Sequence, residues 1–109
     1  MLNNVAIMGR LCADPELRQT QSGIPVCSCR IAVDRDYISN GVRETDFFDV
    51  VAWRGTAEFI CKHFSKGGLV ALDGRLQSST WTDREGGSRV SVEVVAEHIH
   101  FAGSRKSAA

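Results

Sequence analysis

The stretch DFFDVVAWRGTAEFICKHFSKGGLVALDGRL, residues 46–76, decides the fold. Its apolar period is two, then briefly near 3.6, then two again, which predicts strand, helix, strand. In the first strand both faces are apolar. Phe48, Val50 and Ala52 form one set; Phe47, Asp49, Val51 and Trp53 form the other. Burying Asp49 without a partner is costly, so the even set faces the core and Phe47 and Trp53 point outward. Thr56 is the expected N-cap of a helix over 57–64, whose Ala57, Ile60, Cys61 and Phe64 make one apolar stripe, and Gly67 the expected C-cap glycine. The next strand starts near Leu69. It turns Val70, Leu72 and Leu76 inward and Arg75, Gln77, Ser79 and Trp81 outward, with Gly74 as a bend.

Working outward, residues 4–11 read as a strand with Val5, Ile7 and Leu11 on one face and Gly9 as a bend, followed by a loop from Asp14-Pro15 to Ser22-Gly23. A second strand over 26–33 places Cys27, Cys29, Ile31 and Val33 inward and Val26, Ser28, Arg30 and Ala32 outward, and Ser39-Asn40-Gly41 is a turn. Beyond Trp81, Asp83-Arg84-Glu85-Gly86-Gly87 reads as a hairpin turn. The last strand is inward at Val90, Val92 and Val94, then shifts to Ile99 and Phe101, which implies a bulge near 95–97. The order is β-β-β-α-β-β. It predicts an all-β domain with one short helix between strands 3 and 4, a five-stranded Greek-key barrel of the OB-fold type. Residues 1–103 are expected to form this one domain and residues 104–109 a short disordered tail.

A chain of 109 residues has room for one domain. Its 13 basic and 13 acidic residues cancel, which excludes a wholly basic or polybasic protein, and 43% hydrophobic residues exclude disorder. Neither a membrane-length apolar run nor a leader pattern is visible, so a cytoplasmic domain is expected, with no membrane partner. Cys12, Cys27, Cys29 and Cys61 lack zinc-ribbon spacing and read as reduced thiols used as small core hydrophobes. His98 and His100 form an H-x-H pair whose third ligand is not evident, although His63 could approach; they read as surface or interface histidines. No metal and no cofactor is expected.

The informative residues are the outward aromatics, because apolar groups left outside need a partner. Phe47, Trp53 and Trp81 fall on outward phases, and Tyr37 lies beside Arg35 after the second strand. Arg10, Arg30, Arg54, Arg75 and Arg84 surround them, and ten of the 13 basic residues are arginine. Arginine grips phosphate bidentately and stacks on bases. Aromatics interleaved with arginine on a β-surface suit single-stranded nucleic acid, whose unpaired bases expose their π-faces. The zero net charge is compatible with this if Arg30, Arg54 and Arg75 make one locally positive path. Phe48, inward by phase, is expected in the core or at a subunit contact. A protein-interaction module burying Phe47, Trp53 and Trp81 against a protein is the alternative of a different class. Neither a nucleophile–base pair, a carboxylate dyad nor a phosphate loop appears at usable spacing, so an enzyme is not expected.

The chain resembles the bacterial single-stranded DNA-binding proteins, in the versions typical of Gram-positive bacteria. The motifs that carry the resemblance run in order from Leu2-Asn3-Asn4-Val5-Ala6-Ile7-Met8-Gly9-Arg10-Leu11 and Asp14-Pro15-Glu16-Leu17-Arg18 through Asp46-Phe47-Phe48-Asp49-Val50-Val51-Ala52-Trp53-Arg54. They continue with Lys66-Gly67-Gly68-Leu69-Val70-Ala71-Leu72-Asp73-Gly74-Arg75-Leu76 and end at Trp81-Thr82-Asp83. The resemblance implies an OB-fold homotetramer, without catalytic activity, that binds single-stranded DNA irrespective of sequence in replication, recombination and repair, in the cytoplasm at the nucleoid. It implies base stacking on Tyr37, Phe47, Trp53 and Trp81, phosphate contacts from Arg10, Arg18, Arg35, Arg54, Lys66 and Arg75, and a subunit contact at Phe48. A related primosome-type adaptor, expected to be dimeric, is the neighbouring alternative. Two departures stand out. Relatives often carry basic residues where this chain has Gln77-Ser78-Ser79-Thr80, and they continue into a linker and acidic tip where this chain has Ser104-Arg105-Lys106-Ser107-Ala108-Ala109. Tail-dependent recruitment of repair and replication enzymes is therefore not expected of this chain.

Overall fold

The computed structural model describes residues 1–103. The period-two segments form β1 (Val5–Leu11), β2 (Glu16–Gln19), β3 (Pro25–Ser39), β4 (Val42–Trp53), β5 (Leu69–Thr82) and β6 (Ser88–Phe101), and the 3.6-period segment forms α1 (Arg54–His63) between β4 and β5. The strands run β1-β5-β6-β4-β3, and β1 returns to β3 through Arg10↔Ala32 and Leu11↔Ile31, so five strands close a barrel. All neighbours are antiparallel except β4 and β6, which meet in parallel through Val50↔Val94 and Val51↔Val95. This is the expected OB-type barrel with its helix in the expected place. The expected disordered tail at 104–109 lies outside the described residues.

Two glycines permit the closure. Gly9 sits where β1 leaves β5 for β3, and a Cβ there would lie 2.3 Å from the Ala32 carbonyl oxygen. Gly74 sits where the β5–β6 register shifts, and a Cβ there would lie 1.9 Å from the Val95 carbonyl oxygen. Asp73 pairs with His98 and Gly74 with Ala96, so Glu97 is the extra residue of a bulge, inside the expected interval. The core is Leu11, Cys27, Ile31, Val50, Ala52, Val70, Leu72, Val94 and Ala96 from the barrel, plugged at one end by Ala57, Ile60 and Phe64 of the helical segment.

Several local expectations are corrected. The segment read as a plain loop after Asp14-Pro15 contains β2, whose Glu16–Gln19 ladder extends the edge of β3. Four exposed residues carry too little apolar alternation to announce a strand. The helix begins at Arg54, before Thr56, with Trp53 at the N-cap position and no side-chain cap. Its C-cap is Phe64, whose N–H donates to the Ile60 carbonyl; Gly67 lies further on, donating to the Leu11 carbonyl at 2.8 Å to tie the following turn to β1. Leu76, Val90 and Val92 keep the inward phase but are exposed, because β5 and β6 run on past the barrel as a two-stranded arm. Val51, assigned outward, is buried together with its register partner Val95, so β4 is covered on both faces here.

Candidate nucleic-acid interface

Register partners in an antiparallel ladder project to the same face, so the pairings show which candidate side chains share a surface. Arg18 pairs with Val26 and Val26 with Trp53, one row across β2, β3 and β4. Arg10 pairs with Ala32 and Ala32 with Phe47, a second row. Arg75 pairs with Val95 and Val95 with Val51, a third. Trp81 opposes Arg89 further along the β5–β6 arm, on the phase of Arg75. Phe47, Trp53 and Trp81 therefore lie with Arg10, Arg18, Arg75 and Arg89 on the outward phase of one continuous sheet. Phe47, Trp53 and Trp81 are 54%, 43% and 50% exposed.

Each is held in place locally. The Arg30 guanidinium carbon lies 5.3 Å from the centre of the Phe47 ring, a cation–π contact. The Trp81 indole N–H donates to Ser91 Oγ at 2.8 Å. Trp53 ends β4, and the chain enters α1 through Arg54 with φ 57°, in the left-handed region that a side chain disfavours by about 1–2 kcal/mol. That backbone kink stations Trp53 and Arg54 at the corner between sheet and helix. Arg10 donates to the Gly67 carbonyl at 2.9 Å and Arg18 to Ser28 Oγ at 2.9 Å, both at the surface. Arg75 is exposed beside Gln77, at 3.3 Å, and Lys66 is exposed in the turn before β5, its backbone N–H bonded to Asp14.

Tyr37 and Arg35 are placed differently. Arg35 grips Asp46 through two bonds of 3.0 Å and Glu44 at 2.6 Å, and donates to the Tyr37 hydroxyl at 3.3 Å. Glu44, Asp46 and Phe48 are the even set of β4, so this cluster occupies the side of the β3–β4 hairpin opposite Phe47. Asp46 holds the Arg35 guanidinium above its ordinary pKa, and Arg35 holds the Asp46 carboxyl below its own. Phe48 pairs with the buried Ile31 but is itself 37% exposed, at the root of the same hairpin.

The outward surface is not uniformly positive. Asp14, Glu16, Asp49 and Glu93 line an open groove of about 370 Å³ with Arg30, which makes a long 3.8 Å ion pair with Asp49. Asp14 precedes β2, Glu16 opens it, and Asp49 and Glu93 lie on β4 and β6, so only the closed sheet brings them together. Sequence reasoning missed the groove and also missed Arg89, whose position opposite Trp81 depends on the hairpin register; Arg89 is bound to Asp83 at 2.9 Å. Elsewhere, Asp73 takes His98 at 2.7 Å and His100 at 3.5 Å, which keeps the histidine pair at the surface.

Comparison with known proteins agrees with this architecture. The model of the Single-strand binding protein family matches residues 2–102. A single-stranded DNA-binding protein of Caldanaerobacter subterraneus subsp. tengcongensis is 43% identical over 102 residues, 93% of this chain and 68% of the relative. The Staphylococcus aureus protein of the same description is 44% identical over 102 residues and covered to 65%, and that of Halalkalibacterium halodurans 41% over 108 residues, covered to 64%. The chain thus spans about two thirds of the length of the curated relatives it matches. With a matching model over nearly the whole chain and an OB-type barrel beneath it, this chain belongs to the single-strand binding protein family.

Proposed function

We propose that this chain binds single-stranded DNA without sequence preference, laying the strand across the outward faces of β2 to β6. The observation that carries this reading is the exposure of Phe47, Trp53 and Trp81 on one outward phase, with Arg10, Arg18 and Arg75 in the neighbouring rows. Such rings offer sequence-tolerant stacking, and the arginines offer phosphate contacts. Arg54 and Lys66 extend the path at the helix corner and the turn before β5. Tyr37 and Arg35 join it only where the strand wraps around the β3–β4 hairpin.

The chain assembles with copies of itself, as a homotetramer. Two features support this. Among the described residues, β1 pairs with β5 over Val5 to Arg10 and meets β3 only at Arg10 and Leu11, leaving much of its other edge for a second copy. Phe48, Leu76, Val90 and Val92 are exposed apolar groups off the stacking surface. Function at the nucleoid follows from the DNA partner. Among the described residues no helix is long and apolar enough to cross a membrane.

Titration of tryptophan fluorescence with oligo-dT of several lengths, with sedimentation of free and bound protein, tests both statements. Quenching in low salt and a mass of four chains are expected. No quenching refutes the DNA reading and favours a protein-interaction module; a dimer refutes the tetramer and favours the primosome-type reading.

A further inference from the structure

The cysteines take no part in the stacking surface, yet three of them converge where β3 passes the helix. Cys27 is fully buried on the inward face of β3. Cys61, in the last turn of α1, donates its thiol to Cys27 with the sulfurs 3.5 Å apart. Cys29, two residues from Cys27 on the same inward face of the strand, is partly exposed. We propose that Cys27, Cys29 and Cys61 form an oxidisable thiol centre, in which hydrogen peroxide reacts at the partly exposed Cys29 and the centre closes as a Cys27–Cys61 disulfide tying α1 to β3.

The three sulfurs are suited to different steps. The neighbouring Cys27 thiol favours the Cys29 thiolate and lowers its pKa, whereas the bond to Cys29 together with burial raises that of Cys27. Burial and the contact with Cys27 push Cys61 up to about 12. Cys29 is thus a partly exposed thiol whose pKa is lowered, the attributes that direct oxidation. Its thiolate attacks one oxygen of the peroxide; the O–O bond breaks, a sulfenic acid forms, and the departing hydroxide takes a proton to leave as water. The Cys27 sulfur then attacks the sulfenic sulfur, gives up its proton, and expels a second water. Partners two apart on one strand span about 6.6 Å between Cα atoms, near the upper limit for a disulfide, so this bond is a poor resting state. Cys61 is in contact with Cys27, attacks its sulfur, and passes its proton to the departing Cys29 thiolate. The sum is two thiols and one peroxide to one disulfide and two waters, the peroxide being reduced.

The centre does not depend on the DNA reading. The test exposes the reduced full chain to hydrogen peroxide and maps its peptides without reduction. Expected are a linked Cys27–Cys61 peptide, a mass loss of two hydrogens reversed by dithiothreitol, and a higher melting temperature. Cys29→Ser slows the linkage about tenfold or more, since the entry thiolate is gone. Cys61→Ser abolishes it and leaves the oxidation on the Cys27–Cys29 pair, as a disulfide within one peptide that dithiothreitol reverses. Absence of the Cys27–Cys61 peptide in the unmodified chain, a product linking two chains, or an unchanged rate in Cys29→Ser overturns the proposal. The first two readings need no variant, so a misfolded substitution cannot mask them.

Discussion

Trp53 and Trp81 reach the same surface by different means, one through a kinked strand end and one through a hydrogen bond within a hairpin arm. Replacing either by alanine is expected to cost about 1–3 kcal/mol of single-strand affinity per lost stack, with an unchanged circular-dichroism spectrum, since neither ring is in the core. The arginines should separate in the same way. Arg18 has one light contact with a hydroxyl, whereas Arg35 is held by two carboxylates. Arg18→Ala should reduce the slope of log K against log salt by about 0.7, the amount expected per phosphate on a single strand. Arg35→Ala should leave that slope nearly unchanged, because Asp46 and Glu44 already neutralise it; equal effects of the two would show that the hairpin network opens on binding. Phe47, Trp53, Trp81, Arg10 and Arg75 were legible from alternation, which depends only on counting in twos. Arg35 was not, because its partners come from the opposite strand.

The β5–β6 arm and the bulge below it are set by Gly74. Gly74→Ala would drive a methyl group into the Val95 carbonyl, and is expected to destabilise by roughly 3 kcal/mol, the upper range for overpacking, read as a lowered denaturation midpoint. The groove between β2, β3, β4 and β6 leads to a different expectation. Its Asp49 and Glu93 face the proposed strand path, so Asp49→Asn and Glu93→Gln should each tighten DNA binding at low salt. A charge about 7 Å from a phosphate in high dielectric is worth about 0.5 kcal/mol, so the gain should be modest and should fade with added salt. Loss of affinity in both variants would mean that these carboxylates contact bases directly. The phase shift of β6 was readable because Val94 and Ile99 cannot share a face without an inserted residue. β2 was not, since its pairing with β3, and not its own alternation, makes it a strand.

The molecule as a whole responds to pH through exposed pairs. Asp46, Asp73 and Asp83 are all held below the ordinary carboxylate value of 3.8, chiefly by Arg35, His98 and Arg89 in turn. What they contribute is complete above that value and is lost as pH falls through their lower folded pKa values. His98 is raised above its ordinary 6.5 by Asp73, so its contribution is complete below 6.5 and lost as pH rises through the folded value. The histidine resonances should therefore show His98 titrating above 6.5 and returning toward it in Asp73→Asn, while the melting temperature falls at the acid end as the three carboxylates protonate. An unshifted His98 would mean that the Asp73 contact is absent in solution.

The order of the five barrel strands, the helix between the third and fourth of them, the bulge and the outward aromatics could be read from the order of residues, because burial imposes a period on each of these segments taken alone. Tertiary structure alone decided which outward residues are neighbours. Closing β1 onto β3 and β4 onto β6 gathers Phe47, Trp53, Trp81, Arg10, Arg18 and Arg75 on one surface. The same closure sets the acids of the groove among them and brings Cys61 against Cys27, while the β3–β4 pairing turns Arg35 and Tyr37 to the other side of their hairpin. The pairings that close the barrel and the Cys27–Cys61 contact join positions tens of residues apart, and no local periodicity records the register that makes them.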